Sequence, residues 1–136
     1  MCDNIHEKSR AEELISIAKP LAKKFDLYGF AGNSAGSVSC ALRTSGNNLY
    51  TGICIDIACS MGFCAEHAAG AEMLKNRESK IDMIVAIDEK GKILPPCGRC
   101  REFLVQINPE NLDTRVILED GEIVSLRELL PKTWSI

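Results

Sequence analysis

The chain has 136 residues, the size of one domain spanning 1–136, and it can bury a core without covalent staples. Its 46% apolar and 26% charged residues exclude a disordered or fibrous chain, and a net charge of −3 leaves no basic stripe for a phosphate backbone, so no nucleic-acid polymer is expected as a partner. No run approaches the roughly 18 apolar residues of a spanning helix and the N-terminus is too polar for a secretory signal, so no membrane partner is expected and the cytoplasm is the default.

Between residues 6 and 26, Ala11, Leu14, Ile15, Ala18, Ala22 and Phe25 recur at helical spacing, which predicts an amphipathic helix kinked at Pro20. Residues 29–37, rich in Gly and Ser, read as a loop; no Lys follows them, as a phosphate cradle would require. The segments 37–44 and 49–58 flank Ser45-Gly46-Asn47-Asn48, a plausible hairpin turn between two strands. Residues 64 to about 77 read as a helix whose small Ala68, Ala69, Gly70 and Ala71 permit close approach to a sheet. A buried strand at 80–88 and a turn follow.

A third helix is predicted over 98–108, because Cys100, Phe103, Leu104 and Ile107 fall at i, i+3, i+4 and i+7 and Asn108-Pro109 stops it. Residues 114–120 read as a strand, and Ser125 with Glu128 forms a capping box for a short helix that Pro131 ends. Strands alternating with helices predict a layered α/β sheet.

Seven cysteines without an export signal suit a reducing compartment, where clustered thiols more often bind metal or do chemistry than form disulfides. Cys97 and Cys100 lie three apart at a helix opening, so both sulfurs project from one face. Cys64 opens another helix. The positive end of a helix favours the thiolate, the form that binds metal. Three protein ligands suit a catalytic zinc, which keeps one position for water; Cys59 is the alternative fourth ligand of a closed structural site.

Glu66, two residues after Cys64, can face the open position and move protons there; a solvated acid at a helix start is the plainer reading. Three thiolates also concentrate negative charge, for which Arg99, Arg101 and His67 are candidate neighbours acting on the sulfurs. A CxxC thiol redox protein and a non-catalytic zinc module are the readings from other classes, though the first leaves Cys64 and Glu66 without a task.

Cys64-Ala65-Glu66 followed by Pro96-Cys97-Gly98-Arg99-Cys100 resembles the signature of the cytidine deaminase superfamily. The resemblance runs through 38–44, 49–56, 63–69, 83–87, 95–104 and 125–131 in order. It implies a three-layer α/β/α fold with a mixed sheet of about five strands. It also implies one Zn2+ per subunit held by Cys64, Cys97 and Cys100, with Glu66 as the proton shuttle for water addition to C4 of a free cytosine nucleoside. Ala65 is implied to bind the pyrimidine O2, Pro96 to meet the leaving ammonia through its carbonyl, and a homotetramer, or a homodimer, to complete each pocket.

The departures lie in the sugar pocket. Cys54 and Asp56 stand where such enzymes carry Asn and Glu, Gly36 stands where an aromatic is expected, and His67 replaces an Arg. The Cys97 to Arg101 segment and Trp134 are similar to the blasticidin S deaminase branch, which implies a modified cytosine nucleoside as the alternative substrate and Trp134 as a lid on the pocket.

Overall fold

The computed structural model describes residues 2–135. Helix α1 (Cys2–Ala18) leads into a 3-10 turn, then strands β1 (Phe25–Asp26), β2 (Ser34–Thr44) and β3 (Leu49–Asp56), helix α2 (Ala65–Lys75) and strands β4 (Ile81–Asp88) and β5 (Ile93–Leu94). Helix α3 (Gly98–Ile107), strands β6 (Arg115–Ile117) and β7 (Ile123–Ser125) and helix α4 (Leu126–Leu129) complete it.

All seven strands join one mixed sheet. It is five ranks wide, β3-β2-β4-β6-β7, because β1 pairs with β2 on the side that β4 occupies further along, and β5 pairs with β4 on the side that β6 occupies. Only β4 and β6 run parallel, and α3 lies in the crossover between them. The expected five strands are thus five ranks built from seven segments.

Alternation along the strands sends side chains to two separate cores. Ala41, Met83, Val85, Ile87 and Ile117 meet Ala11, Leu14 and Ala18 of α1 on one face. Cys40, Leu42, Ile84 and Val116 meet Ala65, Ala69 and Met73 of α2 with Leu104 and Val105 of α3 on the other. The result is the expected α/β/α layering, with the two helices that begin at cysteines sharing a face.

The small residues of α2 do bring it close to the sheet, but the tightest approach is at Gly52 of β3. A Cβ there would lie 2.4 Å from Ala69 N and 2.6 Å from Ala68 Cβ. Gly70 serves the other neighbour, since a Cβ on it would lie 2.8 Å from Phe103 Cε1 of α3.

Two local expectations are corrected. Pro20 breaks the first helix instead of kinking it: the α-helix stops at Ala18, Lys19–Leu21 is a 3-10 turn, and Phe25 lies in β1 with 51% of its surface exposed. The second strand begins at Ser34, inside the stretch read as a loop, because Gly36 at φ +86° absorbs a register shift between Ala35 and Ser39. The hairpin turn lies where expected, with Asn47 left-handed at φ 66°. The capping box at Ser125 is present, Glu128 Oε2 accepting the Ser125 N–H at 2.8 Å.

The hairpin is locked from outside by Glu78, whose carboxylate accepts from Tyr50 Oη at 2.6 Å, Thr44 Oγ1 at 2.7 Å and Asn48 Nδ2 at 3.0 Å. The Tyr50 hydroxyl and then Thr44 hold Glu78 below the ordinary 4.5, and the same carboxylate pushes Tyr50 from 10.0 to about 12. A carboxyl more acidic in the folded chain contributes stability that is complete above the ordinary value and vanishes as pH falls below it. The raised tyrosine contributes below pH 10.0 and loses that contribution as pH rises through about 12. Urea titrations of Glu78→Gln should therefore show lower stability than the parent at pH 7 and convergence with it below pH 4.5. Gly52→Ala should cost about 2 kcal/mol, since the helix backbone must move to admit the methyl.

Candidate metal centre

Each cysteine of the centre owes its place to the sheet. Phe63 forms an antiparallel bridge with Ile55 of β3 through two hydrogen bonds of 3.0 Å, and the next residue, Cys64, enters α2. The bridge needs Gly62, where a Cβ would lie 2.2 Å from Ile55 O. Leu94 of β5 pairs with Ala86 of β4, Pro95 and Pro96 follow, and Cys97 enters α3. Cys100 sits one turn on, in the core.

The three sulfurs converge. Cys64 Sγ and Cys97 Sγ are 3.6 Å apart, Cys97 Sγ and Cys100 Sγ 3.5 Å, and all three lie within 4.8 Å of one another. This is the one cluster of metal-ligating side chains among the described residues. Cys59 is outside it, exposed, in a left-handed loop at φ 62°.

As thiols they are unequal. Burial raises Cys64, and burial with the Glu66 carboxylate raises Cys100 far above its usual range. Burial acts on Cys97 too, but the backbone N–H groups of Cys100 and Arg99, with the neighbouring thiols, bring it below its ordinary value. Three soft donors at this spacing, two of them costly as bare thiolates, fit a thiophilic divalent cation, whose charge would reverse the penalty.

Glu66, one residue into α2, is only 5% exposed. Burial raises its pKa above 4.5, and the Cys64, Cys100 and Cys40 thiols all feel its charge. A solvated acid would not be placed so. The carboxylate, Ala65, Cys64 and Cys97 line a cavity of about 630 Å³ whose wall also includes Asn33, Ser37, Cys54, Asp56, Ser60, Pro95 and Arg99.

The remaining predicted residues divide. His67 stacks on Phe103 with ring centroids 4.0 Å apart, and its Nε2 is buried without a hydrogen-bond partner. Burial, then the Arg99 charge, lowers its pKa below the usual imidazole value. Arg101, expected at the sulfurs, instead donates from Nε to Pro96 O and from Nη1 to Leu129 O, both at 2.8 Å. Arg99 reaches Gly62 O at 3.4 Å. Cys54 is buried and its sulfur accepts the Val38 N–H at 3.3 Å, so it offers little to a ligand.

Asp56 stands in the wall, whereas Trp134 does not; 84% of the Trp134 surface is exposed and its backbone N–H donates to Glu102 Oε1 at 2.6 Å. Ser37 and Asn33 were missed, because both fall in the Gly- and Ser-rich stretch that carries no periodic signal. A glycine interrupting a strand, the mark of a bulge, was the available clue to Ser37.

No protein-family model matches the chain. Among solved structures, cytidine deaminase from Mycobacterium tuberculosis superposes with a TM-score of 0.75 at 21% identity, covering 92% of this chain and 97% of that one. Cytidine deaminase from Mycobacterium leprae gives 0.72 at 22%, covering 89% and 97%. The enzyme from Bacillus anthracis gives 0.69 at 25%, covering 91% and 89%.

Zinc added to the metal-free chain should raise its thermal midpoint, since a ligand bound only by the folded state stabilises it by mass action. The rise should disappear in Cys97→Ser, and a rise of equal size in that variant would exclude the trio as the binding site.

Proposed function

From a chain with the fold of the cytidine deaminase superfamily, we infer a zinc-dependent aminohydrolase that converts a free cytosine nucleoside, cytidine or deoxycytidine, to the uracil nucleoside and ammonia. One observation carries the reading: three sulfurs within 4.8 Å of one another, with a buried carboxylate beside them, at an open cavity. A closed structural zinc site takes four protein ligands and has no use for a buried acid, whereas three leave a coordination position for solvent. The thiol redox reading draws on the 3.5 Å approach of Cys97 and Cys100 but accounts for neither Cys64 nor Glu66.

Cys64, Cys97 and Cys100 would hold Zn2+, one per subunit, and the ion when bound supplies a water acidified to near neutral pH. The chain's own groups do the rest. Glu66, whose burial raises its proton affinity, takes a proton from water and delivers it to ring N3 as C4 becomes tetrahedral, then passes a second to the departing amino group. Ala65, at the first turn of α2, offers its unpaired N–H to the pyrimidine O2. The Pro96 carbonyl would accept from the leaving nitrogen only through its second lone pair, since it already accepts from Arg101 Nε at 2.8 Å and Pro96 lies outside the cavity lining. His67 Nε2 is buried and lacks a partner, and in the tautomer protonated there it would be a donor suited to offset thiolate charge.

The alternative substrate, a modified nucleoside such as blasticidin S, is supported by the 630 Å³ of the cavity, mid-range for small-molecule sites; Gly36 adds no room, since it lies outside the lining and a Cβ on it would meet Lys23 O at 2.3 Å. We also propose a homotetramer that covers the exposed Tyr28, Phe30, Met61 and Trp134. No helix among the described residues is long and apolar enough to cross a membrane.

Incubation of the zinc form with cytidine, deoxycytidine, cytosine and blasticidin S should release ammonia from at least one nucleoside. Glu66→Gln should retain the metal and lose about 10²- to 10⁴-fold in kcat, the span of general acid–base catalysis. A Gln variant of undiminished kcat removes Glu66 from the reaction.

A further inference from the structure

The cavity wall holds a second set of polar atoms away from the thiols. The register shift at Gly36 sets Ser37 beside the end of β3. Its Oγ lies 3.2 Å from Cys54 Sγ and donates to Asp56 Oδ2 at 3.4 Å, and Cys54 Sγ lies 3.5 Å from the same carboxylate oxygen. Cys54 is buried and already accepts the Val38 N–H, so it serves as a spacer that keeps Ser37 and Asp56 together.

Those two remain open to the cavity with complementary chemistry: a hydroxyl that donates and accepts, and a carboxylate that only accepts. Two other polar side chains of the wall are engaged, Asn33 Oδ1 by the Ala58 N–H at 3.1 Å and Arg99 by Gly62 O. In a cytosine ring N1 lies across from C4. With C4 at the thiols, the N1 substituent is directed toward a part of the wall that the thiols do not form.

We propose that Ser37 is a specificity-determining residue, which with Asp56 binds a hydroxyl carried on the N1 substituent and so selects a hydroxylated sugar over a deoxygenated one. A substrate hydroxyl that donates to Asp56 and accepts from Ser37 replaces one long contact of 3.4 Å by two shorter ones. A substrate lacking it leaves the carboxylate desolvated without compensation, which is how a site built around a polar group rejects its deoxy analogue. Neither the spacing of the cysteines nor the alignment of Cys54 and Asp56 points to Ser37.

The inference rests on the deaminase reading, and the test separates the two. Ammonia release by the zinc-loaded protein is compared for cytidine and 2′,3′-dideoxycytidine, and calorimetry gives Kd for uridine and 2′,3′-dideoxyuridine. Wild type should prefer the hydroxylated member of each pair. Ser37→Ala should lower that preference about tenfold, the loss of one hydrogen bond to a charged site, acting on KM and Kd more than on kcat. Asp56→Asn, which keeps the side chain's shape, should lower it further. Equal weakening of both members of a pair, or of neither, overturns the role of Ser37 while leaving the deaminase reading standing. A wild type that turns over no cytosine nucleoside overturns both.

Discussion

The paired hydrogen bonds between Ile55 and Phe63, both 3.0 Å, hold the chain against β3 one residue before it turns into α2. On the neighbouring part of the sheet, the Ala86–Leu94 pair and two prolines do the same for the entry to α3. Two helices therefore start side by side, and the residues at their N-caps are Cys64 and Cys97. The 3.6 Å between those sulfurs follows from this double anchoring, and Cys100 and Glu66 follow from it by helical geometry. Glycine makes the arrangement possible three times over, at Gly62 for the bridge, Gly52 for the seat of α2 and Gly70 for the contact between helices.

That architecture concentrates negative charge, and the chain answers it with backbone more than with side chains. The N–H groups at the start of α3 lower Cys97, the thiol nearest solvent among the pair that opens it, while Cys100 is left in a dry setting beside Glu66. Arg101, adjacent in sequence to Cys100, spends its guanidinium bridging Pro96 to Leu129 and so ties the C-terminal segment to the helix that carries two sulfurs. His67 is stacked on Phe103 with a buried, unpartnered ring nitrogen. A neutral imidazole neutralises less charge than a guanidinium would, which leaves the helix ends to carry more of the balance.

Much of this was legible in the linear chain. Local chemistry found the helix at 98–108 by its stop at Asn108-Pro109, the hairpin around Asn47 by its polar turn and the C-terminal helix by the Ser125–Glu128 capping box, while the small residues of 64–77 marked a helix set close to the sheet. The first helix was drawn too long, since Ala22 and Phe25 continue the spacing of Leu14 and Ala18 although Pro20 removes the backbone donor that would have carried the helix past it. The start of β2 was hidden because Gly and Ser carry no hydrophobic period. Arg101 was assigned to the sulfurs by its sequence neighbours, but adjacency along a helix turns a side chain about 100° away, toward α4.

What the amino-acid sequence determined alone was the identity of the chemical groups and their local geometry: two sulfurs one turn apart on a helix start, an acid one step into another, small residues where backbones touch. Such features depend on bonds and turns between near neighbours, so they survive without knowledge of the fold. What only the tertiary structure decided was which distant groups meet. Cys64 reaches Cys97 across 33 residues, Ser37 reaches Asp56 across 19, and Arg101 reaches Leu129 across 28. The physical reason is that strand order and register are set by burial summed over two whole cores, a quantity that no single segment carries.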